Sequence, residues 1–151
     1  MKYKIYLIIS TCALSYSILA EEPVWIEQCK PLENAIETAS RLKKVTALTL
    51  ENVFEANRKV RECDDGAYGE GMSDLTARAL AGDFKSVVTR AGQNQSFLEF
   101  VLNHIDATAD LNDLNKISEN AKKLCPKKFA VICKQLGEKG SKASADITST
   151  K

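Results

Sequence analysis

The chain has few residues of the kinds that catalytic and metal sites most often use. His104 is the only histidine among its 151 residues. The sequence also lacks a Cys-x-x-Cys pair, a Gly-x-Ser-x-Gly turn and a His-Glu-x-x-His motif. Structural zinc sites and the common hydrolase and metalloprotease sites depend on such patterns. We therefore expect a protein that is not an enzyme and that needs no cofactor and no metal ion.

An excess of charge of either sign is also missing. The full sequence carries 21 basic and 20 acidic side chains, a formal net charge of +1 at pH 7. Domains that bind nucleic acid through their overall electrostatic field are strongly basic. The composition therefore argues against nucleic acid as a partner.

A long apolar run occurs only at the start of the chain. Lys2 and Lys4 precede an apolar segment over residues 5–19, which ends at the small residue Ala20. These are the three parts of a secretory signal peptide, whereas a membrane span needs a longer and less polar run. A lipoprotein cut before Cys12 is less favoured, because the residue ahead of it is large. We expect cleavage near Ala20, no stable membrane insertion, and a mature protein that is periplasmic or secreted.

The mature chain keeps an even number of cysteines: Cys29, Cys63, Cys125 and Cys133. In an exported protein this predicts two disulfides, and the wide spacings disfavour zinc. Cys29 precedes and Cys63 ends a predicted two-helix hairpin, while Cys125 and Cys133 flank a single turn. The pairings Cys29–Cys63 and Cys125–Cys133 therefore join the cysteines that the predicted order of helices places closest together.

Apolar residues recur at intervals of three and four along most of the chain, and no segment shows sustained alternation. One such stripe comprises Leu111, Leu114, Ile117, Ala121 and Leu124. The pattern predicts an all-α domain over residues 21–137, a single small bundle of five to seven helices braced by two disulfides. Residues 138–151 are mostly small and polar, so we expect the last helix to end at Gly137 and a disordered tail to follow.

Capping signals suggest where individual helices begin. Thr49 is predicted to cap the second helix and Ser73 the third, after a glycine-rich break over Asp64–Gly71. The sequence Ser96-Phe97-Leu98-Glu99 has the form of a capping box, and Asp110 is predicted to cap the helix that follows.

The glycine-rich break is the predicted binding surface, through Asp64, Asp65, Tyr68 and Glu70. Flexible, oxygen-rich loops suit calcium, but the spacing matches no EF-hand loop. We therefore favour a turn between helices in which Tyr68 is an exposed aromatic anchor for another protein.

His104 is open to two interpretations. It lies four residues after Phe100 on an apolar stripe, which favours a hydrogen-bonded core residue. The alternative is a general base oriented by Asp106 or Asp110. Asp106, Asp110 and Asp113 also share a helical spacing that a metal ion could use, but helix capping explains Asp110 and Asp113 without one.

The segments Phe100–Thr108 and Asn120–Pro126, together with Cys63–Gly71, resemble a group of small exported proteobacterial helical proteins. The resemblance covers roughly residues 60–136 and implies an origin and export rather than an activity. In size, export and paired cysteines the chain is also similar to periplasmic immunity proteins of type VI secretion toxins, although no residue motif carries that likeness.

The favoured function is a periplasmic, non-enzymatic protein-binding module, in its sharpest form an inhibitor or immunity protein against a toxin or hydrolase. A carrier of a small apolar ligand is an alternative, because the same helix stripes could line a cavity. An enzyme that uses His104 with nearby carboxylates is the third hypothesis.

Overall fold

The computed structural model describes residues 24–149, and side chains from Glu27 onward. The predicted signal peptide over residues 1–20 lies outside this part of the chain. Within it there are six α-helices and no strand: α1 (Val24–Ser40), α2 (Ala47–Lys59), α3 (Gly66–Ala91), α4 (Gln95–Asn103), α5 (Leu111–Lys123) and α6 (Ala130–Ser149). Short 3-10 turns at Arg61–Cys63 and Lys127–Phe129 complete the element order. The prediction of an all-α bundle is confirmed.

Both predicted disulfides are present. Cys29 at the start of α1 is joined to Cys63 after α2, with 5.8 Å between their Cα atoms. Cys125 and Cys133 close the turn between α5 and α6, with 5.9 Å between their Cα atoms. The first bridge holds α1 to the end of α2, and the second fixes the entry into α6.

The long helix α3 is the centre of the bundle and packs against α1, α2, α4, α5 and α6. It bends at Asp83, the residue after Gly82, where the backbone leaves the helical region (φ −142°, ψ 40°). The Asp83 carboxylate accepts a hydrogen bond from the Ala47 amide at 3.0 Å, so the bend also fixes the start of α2. No described helix has the length and apolar character to cross a membrane.

Of the four predicted helix caps, only Asp110 is correct. Asp110 caps α5 as expected, but Thr46 caps α2 in place of Thr49, and Asn94 caps α4 in place of Ser96. Each cap accepts a hydrogen bond from an amide of the first turn. Where several short polar residues precede a helix, all can serve as caps in principle, and packing selects one.

The predicted flexible break at Asp64–Gly71 is wrong, because α3 begins at Gly66 rather than after Ser73. Asp65 is its cap and accepts from the Gly66 amide at 2.7 Å. Gly66 has a positive φ of 51°, a conformation that side chains rarely adopt. Gly66 thus serves the helix start, and Gly71 packs against α1, where a Cβ atom would lie 2.9 Å from the Ile36 side chain.

The predicted disordered tail is also wrong over the residues described, since α6 continues beyond Gly137 as far as Ser149. Gly140 is buried against α5: a Cβ atom built on it would lie 3.1 Å from the Leu114 carbonyl oxygen and 3.2 Å from the Ile117 Cβ. Small residues bring α6 close to the backbone of α5, and this contact orders a segment whose own composition suggests disorder.

Candidate functional site

The four predicted binding residues do not form one exposed loop. Asp65 and Glu70 are exposed, but Tyr68 is partly buried and packs against the core. Asp64 is exposed as well, and its Oδ1 lies 3.0 Å from His104 Nε2. Whether these side chains contact a partner stays a prediction, and Tyr68 is not the free aromatic anchor that we expected.

His104 is buried, with 5% of its surface exposed, and forms the C-terminal cap of α4. Its Nδ1 lies 2.8 Å from the Phe100 carbonyl oxygen, and its Nε2 lies 3.0 Å from Asp64 Oδ1. These contacts agree with a hydrogen-bonded core histidine. The expected orienting residue was wrong, because Asp64 makes the contact rather than Asp106 or Asp110.

Both hydrogen-bond partners of His104 are acceptors. A carbonyl and an ionised carboxylate each need an N–H, whereas a neutral imidazole carries only one. A neutral ring can therefore donate to only one of Phe100 and Asp64 at a time, and which nitrogen donates depends on its tautomer.

Asp106 has a structural role near this pair. Burial raises the pKa of its carboxyl group, but hydrogen bonds from the Thr108 side chain and amide, a bond from Ser73, and the positive charge of His104 outweigh burial. The pKa of Asp106 therefore lies below its ordinary value. The Ser73 hydroxyl donates to it at 2.8 Å and Thr108 donates twice, so this carboxylate ties the turn after α4 to α3.

The residues described contain no group of three His, Cys, Asp or Glu side chains arranged to hold a metal ion. Asp106 and Asp110 accept hydrogen bonds from nearby protein groups, and Asp113 pairs with Lys116 at 3.1 Å. Capping and local pairing account for these three carboxylates.

A cleft of about 200 Å³ lies beside the His104–Asp64 pair, between the second half of α2 and one face of α4. We call it the polar cleft. The rings of Phe54 and Phe100, 5.4 Å apart, contribute to its lining. Polar side chains from both helices and from the turn after α2 complete it, and they include Asn57, Arg61, Ser96 and Asn103.

Asn57 is the unusual member of the polar cleft. It is 6% exposed, and its amide nitrogen Nδ2 has no hydrogen-bond partner among the residues described. An unpaired buried polar group costs about 1–3 kcal/mol. Asn57 was not among the predicted site residues, although the sequence holds a signal for it. It lies three residues after Phe54, at a position where the apolar spacing of α2 predicts an apolar side chain.

A second unusual surface comprises the end of α5, the turn after it and the first residues of α6, over Lys122–Lys134, which we call the cationic tip. It holds five exposed lysines and no acidic residue. Two of its apolar residues are exposed, Leu124 at 38% and Val131 at 73%. The Cys125–Cys133 disulfide closes this segment.

Phe129 ties the cationic tip to the end of α3. Its ring lies so close to Gly92 that a Cβ atom on Gly92 would overlap it. The Lys128 ammonium group lies 4.6 Å from the centre of the same ring. The tip is therefore held at two places, by its disulfide and by Phe129.

Comparison with known protein families, with curated proteins and with solved structures finds no match to this chain.

Proposed function

We propose that this protein is an exported, non-enzymatic module that binds another protein through the cationic tip, in its sharpest form an inhibitor or immunity protein acting on a toxin or hydrolase. The observation that carries the proposal is the exposure of Leu124 and Val131 among five lysines. An apolar centre with a charged rim is the usual anatomy of a protein interface.

The separation of charge favours an acidic partner surface. Setting the five lysines of the tip aside leaves 16 basic side chains against 20 acidic ones in the full sequence, which has 21 and 20. Outside the tip the sequence is therefore acidic on balance, and Lys123 and Lys134 of the tip pair with Glu119 and Glu138 at its edge. Complementary potentials of this kind speed association and select the partner.

The rigidity of the tip favours tight binding. A surface that is already ordered loses less conformational entropy when a partner docks. The disulfide and the packing of Phe129 on Gly92 supply this order.

A protein partner fits the tip better than an anionic membrane does. Membrane-surface segments insert aromatic and large apolar side chains below the headgroups. Phe129, the only aromatic residue of the tip, is partly buried and engaged with Gly92 instead.

Export is the second half of the proposal, and the signal-like start and the two disulfides support it. The intact mass of the protein from its native host is expected to correspond to a chain that begins near Glu21. A mass that retains Met1 would contradict export.

Partner capture tests the tip. The disulfide-intact mature chain is immobilised and exposed to periplasmic extract from the native host. Val131→Asp is expected to reduce capture of the bound protein at least about tenfold, because it places a charge at the apolar centre of the contact. The matched control is Leu48→Asp, which alters a comparably exposed leucine, 57% exposed, on α2. It should leave capture unchanged, and added salt should weaken capture of the wild type.

Three outcomes would contradict this assignment. Equal capture by Val131→Asp and the wild type would remove the tip from the interface. Binding to phosphatidylglycerol vesicles that depends on Val131 would assign the tip to a membrane. Loss of capture by Tyr68→Ala alone would move the interface to the acidic start of α3. Tyr68→Ala is also expected to lower the free energy of unfolding, because Tyr68 packs on the core.

A further inference from the structure

We infer that the Cys125–Cys133 disulfide is a thiol-exchange site, at which a small anionic thiol attacks Cys125, forms a mixed disulfide with it and releases Cys133 as a thiolate. The exchange itself is independent of the proposed function. Its consequence for partner binding rests on that function, because this disulfide closes the cationic tip.

The two disulfides differ in how far a thiol can reach them. Cys29 and Cys63 are both buried, with 4% of each residue exposed. Cys125 is partly exposed in the turn after α5, whereas its partner Cys133 is 2% exposed. Exchange requires that the attacking thiolate reach one sulfur atom directly. Attack therefore falls on Cys125, and the Cys29–Cys63 bond is shielded in the folded protein.

The surroundings of Cys133 suit a leaving group. Lys122, Cys133 and Lys134 line one groove between α5 and α6, together with a single carboxylate, that of Glu138. This carboxylate already pairs with Lys134 at 3.8 Å. Nearby cations stabilise a thiolate, and a stabilised thiolate leaves a disulfide faster. The departure of Cys133 is thus favoured over the departure of a thiolate from the apolar core.

The charge around the site selects the thiol that attacks. The tip carries five exposed lysines and no acidic residue. Ion pairs with carboxylates at its edge engage two of the five, and the other three, Lys122, Lys127 and Lys128, take part in no ion pair among the described residues. A positive surface raises the local concentration of anions. A thiol that carries carboxylates of its own, as glutathione does, is therefore preferred over a neutral or cationic thiol.

The exchange balances without any further reagent. The first thiolate attacks the sulfur of Cys125, the bond to Cys133 breaks, and its electron pair leaves on the Cys133 sulfur. A second thiolate attacks the sulfur of the bound small thiol, which releases Cys125 as a thiolate and forms the disulfide of the small thiol. The protein disulfide gains two electrons and the two protons that the small thiols lose, and two small thiols are oxidised.

The packing of the tip makes the exchange reversible. Phe129 stays in place on Gly92, and α6 stays packed on α5 at Gly140, since neither contact involves the disulfide. Cys125 and Cys133 therefore remain near each other after reduction and can form their bond again. Reduction loosens the turn without unfolding the bundle. It weakens partner capture, because a less ordered surface loses more conformational entropy when a partner docks.

Reaction of the oxidised mature chain with reduced glutathione, followed by alkylation and peptide mapping, tests the inference. Reduction of Cys125–Cys133 should be at least about tenfold faster than reduction of Cys29–Cys63. Raising the ionic strength from about 0.01 M to 1 M should slow the glutathione reaction several-fold. Cysteamine is the matched control, because its ammonium group cancels the charge of its thiolate, and salt should leave its rate unchanged.

Two single substitutions identify the sulfur that is attacked. Cys133→Ser leaves Cys125 as a free thiol, which should form a mixed disulfide with oxidised glutathione. Cys125→Ser leaves Cys133, which is buried and should react at least about tenfold more slowly. Circular dichroism of both variants confirms that each reaction is measured on folded protein.

Substitution of lysines tests the selection of an anionic thiol. Lys122→Gln combined with Lys127→Gln should slow the reaction of the wild-type disulfide with glutathione several-fold and leave the cysteamine rate unchanged. Lys43→Gln combined with Lys44→Gln removes the same charge from two exposed lysines in the turn after α1 and should change neither rate.

The inference is overturned if both disulfides are reduced at the same rate, which would indicate reaction only through global unfolding. It is also overturned if Cys133 reacts as fast as Cys125, or if neither salt nor the substitution of Lys122 and Lys127 changes the glutathione rate. None of these measurements involves a partner, so they are separate from the test of the proposed function. Equal partner capture by the oxidised and the reduced protein would contradict the link between the exchange site and the tip.

Discussion

Replacing Cys29 and Cys63 together by alanine is expected to lower the free energy of unfolding by about 4 kcal/mol, within the usual range of about 2–5 kcal/mol. The bridge joins residues 34 apart in sequence, so its loss frees a long loop in the unfolded chain. Both cysteines are buried at 4% exposure, and their truncation also removes core contacts. The effect is large against the total stability of a small domain, about 5–15 kcal/mol. Urea denaturation of the variant and the wild type measures it.

The second bridge supplies the matched control. Cys125 and Cys133 are only 8 residues apart, so the same loop-entropy argument gives about 2.5 kcal/mol for the double alanine variant. Because Cys63 directly precedes Asp64, loss of the first bridge should also shift the His104 ring signals in NMR spectra, and loss of the second should not. Equal stabilities for the two double variants would contradict this ranking.

Gly140→Leu is expected to lower the free energy of unfolding by about 1–3 kcal/mol. The new side chain would meet the Leu114 carbonyl oxygen and Ile117 of α5, and backbone cannot move aside as a flexible side chain can. The gain in helix propensity, about 1 kcal/mol, offsets only part of this. Thermal and urea denaturation measure the net change.

Gly69→Leu is the control for this substitution. A Cβ atom on Gly69 has no heavy atom within 4 Å, so only the gain in helix propensity should remain, and stability should be unchanged or slightly higher. A Gly140→Leu variant as stable as the wild type would mean that the end of α6 does not depend on its contact with α5. Hydrogen exchange over residues 138–149 reports the same contact directly.

The sequence by itself determined the features that depend on local patterns. Apolar spacing of three and four residues identifies a helix wherever one face must be buried, so the all-α class followed from periodicity. The disulfide pairing followed because helix order places Cys29 near Cys63 and because a single turn separates Cys125 from Cys133. Asp110 was identified as a cap because no competing polar residue stands at a better position.

Part of the candidate sites was also visible in the sequence. The run of lysines over Lys122–Lys134 can be read directly, and Asn57 interrupts an apolar stripe. What the sequence does not show is that Val131 faces solvent, or that Arg61 and Asn57 line one cleft with α4. These facts depend on which face of each helix its neighbours cover.

Only the tertiary structure determined the conformation of the segments whose composition is typical of loops and disordered tails. The glycines after Asp65 and the small residues beyond Gly137 resemble a loop and a tail, yet both segments are helical. Gly71 lets α3 approach α1 closely and Gly140 lets α6 approach α5, and the close packing that results offsets the weak helix propensity of these residues. The bond between His104 and Asp64 has the same origin: it joins residues 40 positions apart, and the packing of α4 beside the turn after α2 brings them together.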